Sequence, residues 1–261
     1  MFYIIIFIFG LLFGSFFACI GYRIPNKIST IKPNSFCPKC KTELKWYMNI
    51  PLFSYIFLKG KCAYCKEKIN IFYPLVEVCT ALLYIFLFWV YGLSFNFLIG
   101  IVLISVFIIT SITDFRYFYI SDRVIVIGII LILILNYLSF GYGIFIYKVI
   151  SGISMFFFMY LIKIIGDKLF KRESLGGGDI KLMAFIGSSI GFIPSLFSIF
   201  LASIIALPAS LIIKNKEGIV PFGPFLLFAS IFMWFLNIDI DLLSFLFIWI
   251  YLSIGMCYNN S

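Results

Sequence analysis

The chain has 261 residues, 63% of them hydrophobic, with 20 Lys and Arg against 11 Asp and Glu for a net charge of +9. Its mean hydropathy of +1.13 excludes a soluble domain and describes a polytopic helical membrane protein. It contains no histidine, which removes His-dependent triads and HExxH metal hydrolysis from the chemistries open to it.

The first apolar run, residues 2–21, lacks the basic start of a secretory signal and reads as a retained first span. Phe16 and Phe17 argue against a lipoprotein-like cleavage before Cys19. Gly10, Gly14 and Ser15 along this run permit close contact with another helix. Residues 22–72 follow as the one sizeable polar segment. Between Gly21 and Asn70 ten Lys and Arg face only Glu43 and Glu67, an excess that marks the cytoplasmic side of the membrane. Nucleic-acid binding is the competing meaning of such a run. A loop tethered at both ends to a bilayer needs this charge for orientation and anionic lipid contact, so no nucleic-acid partner is expected.

Further apolar runs predict spans over about 73–92, 97–113 and 124–138, a fifth from the turn at 139–143 to about 165, and a sixth from Asp179 to a turn at 191–194. A seventh ends at Lys214, an eighth covers 221–236, and 242–257 is apolar enough for a ninth. The expected fold is therefore an all-α transmembrane bundle of 8–9 spans with a small cytoplasmic cysteine loop. Its parts are a first span (1–21), the loop (22–72) and a membrane core (73–261). Parity and charge agree along the chain except at Lys148, which is expected to snorkel from the outer end of span five.

Two lone carboxylates stand at span edges on the same, cytoplasmic, face: Asp114 after span three, and Asp179 after the run Gly176-Gly177-Gly178. A helix cap is the plain reading of either one. Two in equivalent places suggest a shared site, because ionised groups near hydrocarbon are costly. Neighbouring carboxylates share one proton, so one takes a proton from water while the other polarises an amide carbonyl. That is aspartic-protease chemistry. The three glycines are expected to supply positive φ and a close backbone approach. Asp122 either supports the pair or caps span four.

Cys37-Pro38-Lys39-Cys40 and Cys62-Ala63-Tyr64-Cys65 form paired CxxC turns separated by residues 41–61. That gap is slightly longer than the usual stretch of about 15–20 residues, yet four thiolates in this pattern suit a closed, structural, tetrahedral zinc site. Cys19, Cys79 and Cys257 stand singly in apolar sequence and read as small buried hydrophobes.

Taken in order, these pieces resemble a known family. Gly14-Ser15-Phe16, Tyr22-Arg23-Ile24-Pro25 and the cysteine turns around Trp46-Tyr47-Met48-Asn49-Ile50-Pro51 come first. Tyr73-Pro74-Leu75-Val76-Glu77, Asp114 to Asp122, Gly176-Gly177-Gly178-Asp179-Ile180-Lys181 and Pro221-Phe222-Gly223-Pro224-Phe225 complete the series. It is similar to the bacterial type IV prepilin peptidases, integral-membrane GxGD aspartyl proteases, over residues 10–230. Two positions depart from the pattern: Ala18 stands where Asn is usual, and Ser121 where Pro is usual.

The resemblance implies removal of a short basic leader, just after a glycine, from prepilin or pseudopilin precursors at the cytoplasmic face of the bacterial inner membrane. It puts Asp114 and Asp179 on the family's catalytic positions, with Asp122, Gly176, Gly178 and Lys181 in support. It also implies N-methylation of the new terminus with S-adenosylmethionine, on a chain with no room for a soluble dinucleotide-type fold. Three alternatives use the same features: a presenilin- or signal-peptide-peptidase-like protease cutting deeper in the membrane, a proton-coupled transporter, and a zinc-knuckle adaptor on inert spans. The transporter would show mid-bilayer acids and an internal repeat, and the sequence shows neither.

Overall fold

The computed structural model describes residues 1–30, 32, 34–171, 174–212 and 221–236; the expected end of span seven at Lys214, the ninth span at 242–257 and Cys257 lie outside them. The described residues form helices joined by short turns, with two isolated β-bridges and no strand. In order the helices are α1 (Phe2–Arg23), a short α2 (Phe53–Phe57), α3 (Phe72–Tyr91), α4 (Phe95–Tyr117), α5 (Asp122–Phe140), α6 (Tyr142–Phe170), α7 (Gly177–Ile190), α8 (Phe192–Ile212) and α9 (Gly223–Phe235). Six of them, α1, α3, α4, α5, α6 and α8, are long and apolar enough to cross a membrane. The protein is a multi-pass helical membrane protein.

Local sequence sets the breaks. Gly92, Gly141 and Gly191 end helices in backbone conformations of positive φ that side chains resist. Ser94 opens α4 by accepting the Phe97 N–H at 3.3 Å. The polar residues Lys163, Asp167 and Lys168 do not stop α6, which runs 29 residues, about 43 Å at 1.5 Å per residue. Its last turn or more therefore projects beyond a hydrocarbon layer of about 30 Å, past the end at 165 that polarity had suggested.

Two apolar clusters divide the bundle, and α4 is the wall between them. Phe97, Ile104, Ile108 and Ile112 pack on α1 and α3, while Ile99, Leu103 and Val106 pack on the group formed by α5 to α9. On the first side, Gly14 lies so close to α3 that a Cβ would come 2.7 Å from the Glu77 Cα, and Gly10 is similarly pressed on Ala81. On the other side the short helices α7 and α9 sit innermost. Phe185, Ile186, Leu182 and Met183 of α7 and Leu226 and Leu227 of α9 are fully buried. At 14 and 13 residues these helices span only about 20 Å each, and long neighbours shield them.

Lys148 does not snorkel outward. Its ammonium donates to the Ser189 carbonyl at 2.8 Å, satisfying one of the orphan acceptors at the end of α7. The single cysteines also differ from the reading as buried hydrophobes: Cys19 is half-buried and Cys79 is exposed on α3, where a bilayer supplies the apolar surroundings.

Candidate active site and cysteine module

Asp114 ends the apolar stretch of α4 and is only 6% exposed. Its Oδ2 accepts the Gly223 N–H at 3.2 Å. Gly223 is the first residue of α9, so this carboxylate occupies the helix N-terminus, where unpaired N–H groups and the helix dipole favour negative charge. Asp179 lies in the first turn of α7 and meets the same condition there. Asp179 directly follows Gly178, which packs on the same Ile120 side chain as Gly223. Asp114 and Asp179, 65 positions apart in the chain, thus lie at the same end of the bundle.

What joins them is a set of small and apolar contacts. Ile120, in the turn between α4 and α5, packs against both Gly178 and Gly223. A Cβ on Gly178 would lie 2.9 Å from the Ile120 Cβ, and one on Gly223 would lie 2.9 Å from the Asp114 Oδ2. The expectation of positive φ in the glycine run is not met: Gly176 has φ −66°, and Gly177 and Gly178 are helical. The missing side chain is what matters at Gly178, whereas Gly177 faces open space. Gly223 and Ile120 were not among the residues singled out for the site. The Pro221-Phe222-Gly223-Pro224 turn was the available signal for Gly223, and nothing in the sequence marked Ile120.

Asp122 does not cap α5 through its side chain. Both its oxygens accept from the Lys181 ammonium at 2.8 Å, linking the first turn of α5 to that of α7. Both partners are solvent-exposed, so the pair frames the rim of the site without being buried in it.

The segment between α1 and α3 is built as two copies of one small device. In the first, Cys37 N–H donates to Thr42 O at 3.0 Å and Lys41 N–H to Cys37 O at 2.9 Å; in the second, Cys62 N–H donates to Glu67 O at 2.8 Å and Lys66 N–H to Cys62 O at 3.1 Å. Each turn closes with a lysine in the left-handed region, Lys41 and Lys66 at φ 59°. Each carries one antiparallel bridge, Phe36 to Glu43 and Lys61 to Lys68. The exposed Lys39–Glu67 pair, 2.6 Å apart, ties one copy to the other.

All four sulfurs lie within 4.8 Å of one another, with Cys37 Sγ and Cys65 Sγ 3.9 Å apart. Sulfurs about 2.3 Å from a common tetrahedral centre stand roughly 3.8 Å apart, so this donor set fits a metal ion. The thiols differ in acidity. Hydrogen bonds from the Thr42 hydroxyl and N–H hold Cys40 down at about 6. The Glu67 N–H also favours the Cys65 thiolate, but desolvation and the three neighbouring sulfurs outweigh it and push Cys65 up to about 11.

The module is pinned to the bundle by two buried charged residues, Arg23 and Glu77. Arg23 at the end of α1 donates to the carbonyls of Ser29, Thr30 and Asn34 at 3.1, 3.3 and 3.1 Å and lies 5.8 Å from the Phe36 ring centre. Glu77 of α3 accepts the Leu52 N–H at 2.7 Å and is hydrogen-bonded by Ser15 of α1. Between module and bundle lies a cavity of about 690 Å³, lined by Tyr22, Phe36, Trp46, Asn49 and Tyr73 among others. Tyr73 and Phe72 are covered by the Arg116 guanidinium, 4.1 Å from the Phe72 ring, one helical half-turn beyond Asp114. Cavity and carboxylates therefore share one end of the molecule.

Comparison with known proteins covers most of the chain. Residues 8–91 match the bacterial peptidase A24 N-terminal domain, and residues 101–211 match the type IV leader peptidase family. A prepilin leader peptidase/N-methyltransferase of Neisseria gonorrhoeae is 31% identical over 82% of this chain and 84% of its own length. Proteins of the same description from Bacillus subtilis and Vibrio cholerae are 32% and 37% identical, over 87% and 78% of this chain and 91% and 84% of their own lengths. No solved structure matches the chain.

Proposed function

This chain belongs to the type IV leader peptidase family, and on that premise we propose that it removes the leader peptide from prepilin-like precursors by aspartyl chemistry. Asp114 and Asp179 are the proton-sharing pair. One carboxylate takes a proton from the attacking water, and its protonated partner donates to the scissile carbonyl oxygen; the proton then passes to the leaving amine. The observation that supports this is the convergence of two sequence-remote acids at one bundle end, each at a helix N-terminus. Asp122 and Lys181 act at the rim, and Gly176 and Gly178 leave room for an extended substrate backbone.

The ten basic residues of the cysteine module favour the cytoplasmic side for this end of the bundle, in a bacterial inner membrane. A precursor with a basic leader and an apolar helix would then present its scissile bond at the depth of the two acids. Incubating the chain in detergent with a prepilin-like substrate, and weighing the new terminus by mass spectrometry, tests cleavage. Intact substrate after prolonged incubation with folded enzyme would sink the reading.

Zinc is the metal we assign to Cys37, Cys40, Cys62 and Cys65; when bound it supplies folding free energy to a module with little apolar core. About one metal ion per chain is expected by elemental analysis. For N-methylation, S-adenosylmethionine supplies the methyl group, and the cavity beside Tyr73 fits it in size and lining. Pockets for molecules of this kind measure about 300–1,000 Å³. Phe36 and Tyr22 offer aromatic faces for a purine ring and a sulfonium, and Asn49 an amide for hydrogen bonding. Saturable binding of labelled S-adenosylmethionine, weakened by Tyr22→Ala, is the expected result; undiminished binding by that variant would move the cofactor elsewhere.

A further inference from the structure

Residues 46–57 connect the two cysteine turns and include a 3-10 turn (Trp46–Asn49) and α2. Their outer surface is unusual for a polar loop. Trp46 and Phe57 are 79% and 81% exposed, and Tyr47, Ile50, Phe53 and Ile56 are exposed beside them. Lys45 and Lys59 bound the segment on either side, and no charged residue interrupts it. A contiguous apolar face of this kind on a soluble loop marks an interaction surface.

The level at which the segment meets the bundle identifies what it touches. Leu52 donates its N–H to Glu77, five residues inside the start of α3, about 7.5 Å along the helix axis. Ser15, which bonds the same carboxylate, lies eight residues before the end of α1, about 12 Å. With 20 residues, α3 is about 30 Å long and matches the hydrocarbon thickness, so Glu77 lies below the membrane surface. Pro51, beside the contact, is buried. The chain therefore turns down along the helix wall at 51–52. Phe13 and Phe16 on α1 and Leu75 on α3, each within two residues of Ser15 or Glu77, are exposed as well.

We propose that residues 46–57 are a membrane-inserted segment of the cysteine module, with Trp46, Phe53, Ile56 and Phe57 seated at the headgroup and acyl boundary and Lys45 and Lys59 on anionic headgroups. Amphipathic elements of this composition reach about 5–10 Å into that boundary. Trp and Tyr favour it because one end of each ring system is apolar and the other polar. The buried Glu77 is then explained. It satisfies the Leu52 N–H, which would otherwise be an unpaired donor at membrane depth, and Leu52 is held at φ 60° to place it there. The consequence is a module fixed at three points, by α1, by α3 and by lipid, so that the cavity beneath it stays aligned with the bundle. This inference does not depend on the protease reading.

The full, unaltered chain in vesicles of phosphatidylethanolamine and phosphatidylglycerol, doped with a phosphatidylcholine bearing an acyl-chain diazirine, provides the test. After irradiation, trypsin releases residues 46–59 as one peptide between Lys45 and Lys59. Lipid adducts are expected on that peptide at a level approaching that of 1–23, while 62–66 from the second cysteine turn stays unlabelled. A Phe53→Asp, Phe57→Asp double variant is expected to lose most of the label on 46–59 and keep it on 1–23, which reports on insertion of the chain itself. An unlabelled 46–59 beside a labelled 1–23 overturns the proposal, and would mean the face is open to water and free for a protein partner. Equal labelling of 46–59 and 62–66 also overturns it, because the module would then lie on the bilayer without a specific insert.

Discussion

Around α7, nine of fourteen residues are buried, whereas among the described residues of 24–71 only Cys37, Pro51 and Cys62 are. The two regions hold functional groups in place by opposite means. In the bundle, Asp179 and Asp114 are positioned by apolar packing of Leu182, Ile120 and the glycines, and a displaced carboxylate would have to move a packed helix. In the module, local hydrogen bonds shape each turn, and the ligand set together with Arg23 and Glu77 does the rest. A packed site tolerates loss of an ion but not an added methyl group. A coordinated module behaves the other way round.

The sharpest way to break that contrast is chemical. Asp114→Asn and Asp179→Asn are each expected to lower prepilin cleavage by 10²–10⁴-fold or more, on the order of what a general acid or base contributes. Membrane insertion and thermal unfolding should change little, because Asn still accepts the Gly223 N–H. Robust cleavage by either purified variant would refute the dyad.

Gly223→Ala tests packing directly, since its Cβ would sit 2.9 Å from the Asp114 Oδ2. A shift of about 1 Å in the carboxylate is expected to cost roughly 10² in kcat. KM should stay nearly constant. Wild-type kcat in that variant would mean the gap at α9 is not what aims Asp114.

For the module, chelation is expected to open it to trypsin at Lys39, Lys41, Lys66 and Lys68 while helical circular dichroism persists. Trypsin resistance after complete metal removal would show that packing suffices there after all.

A finer measurement follows the thiols of protein stripped briefly in the cold, before the module opens. With Cys40 held at about 6 and Cys65 pushed to about 11, iodoacetamide at pH 7.5 should label Cys40 first and Cys65 last. Because the Cys40 value is depressed on folding, its contribution to stability is present above the ordinary value of 9.0 and is lost as pH falls through about 6. The stripped module should therefore loosen towards acid, measurable as faster proteolysis at pH 5 than at pH 8 with an acid-tolerant protease. Equal labelling of all four thiols would dismiss the Thr42 contacts. The smallest effect belongs to Lys181→Ala: its exposed pair with Asp122 is worth at most about 1 kcal/mol, read as a minor change in melting temperature.

Much of this was readable along the chain, because each sign was local. Apolar runs of about 20 residues can only be spans, so the bundle followed from composition and from breaks such as Gly92 and Gly141. Paired CxxC turns announce a four-thiol cluster because the cysteines of one turn are neighbours in sequence. Local signs misled where a partner intervened. Lys148 was expected in water and instead closes the end of α7, and of the two uses expected of the glycine run, positive φ and close approach, only the second is met, at Gly178 against Ile120.

The sequence by itself determined that the chain is a membrane bundle, that one loop carries the basic excess, and that four cysteines cluster, since these depend on composition, charge and short spacings. Only the tertiary structure decided that α7 and α9 lie innermost, that Gly223 holds Asp114, and that Leu52 reaches down to Glu77. Those contacts join residues 25 to 109 positions apart. Their geometry is fixed by which helices pack together, and no spacing along a chain encodes that.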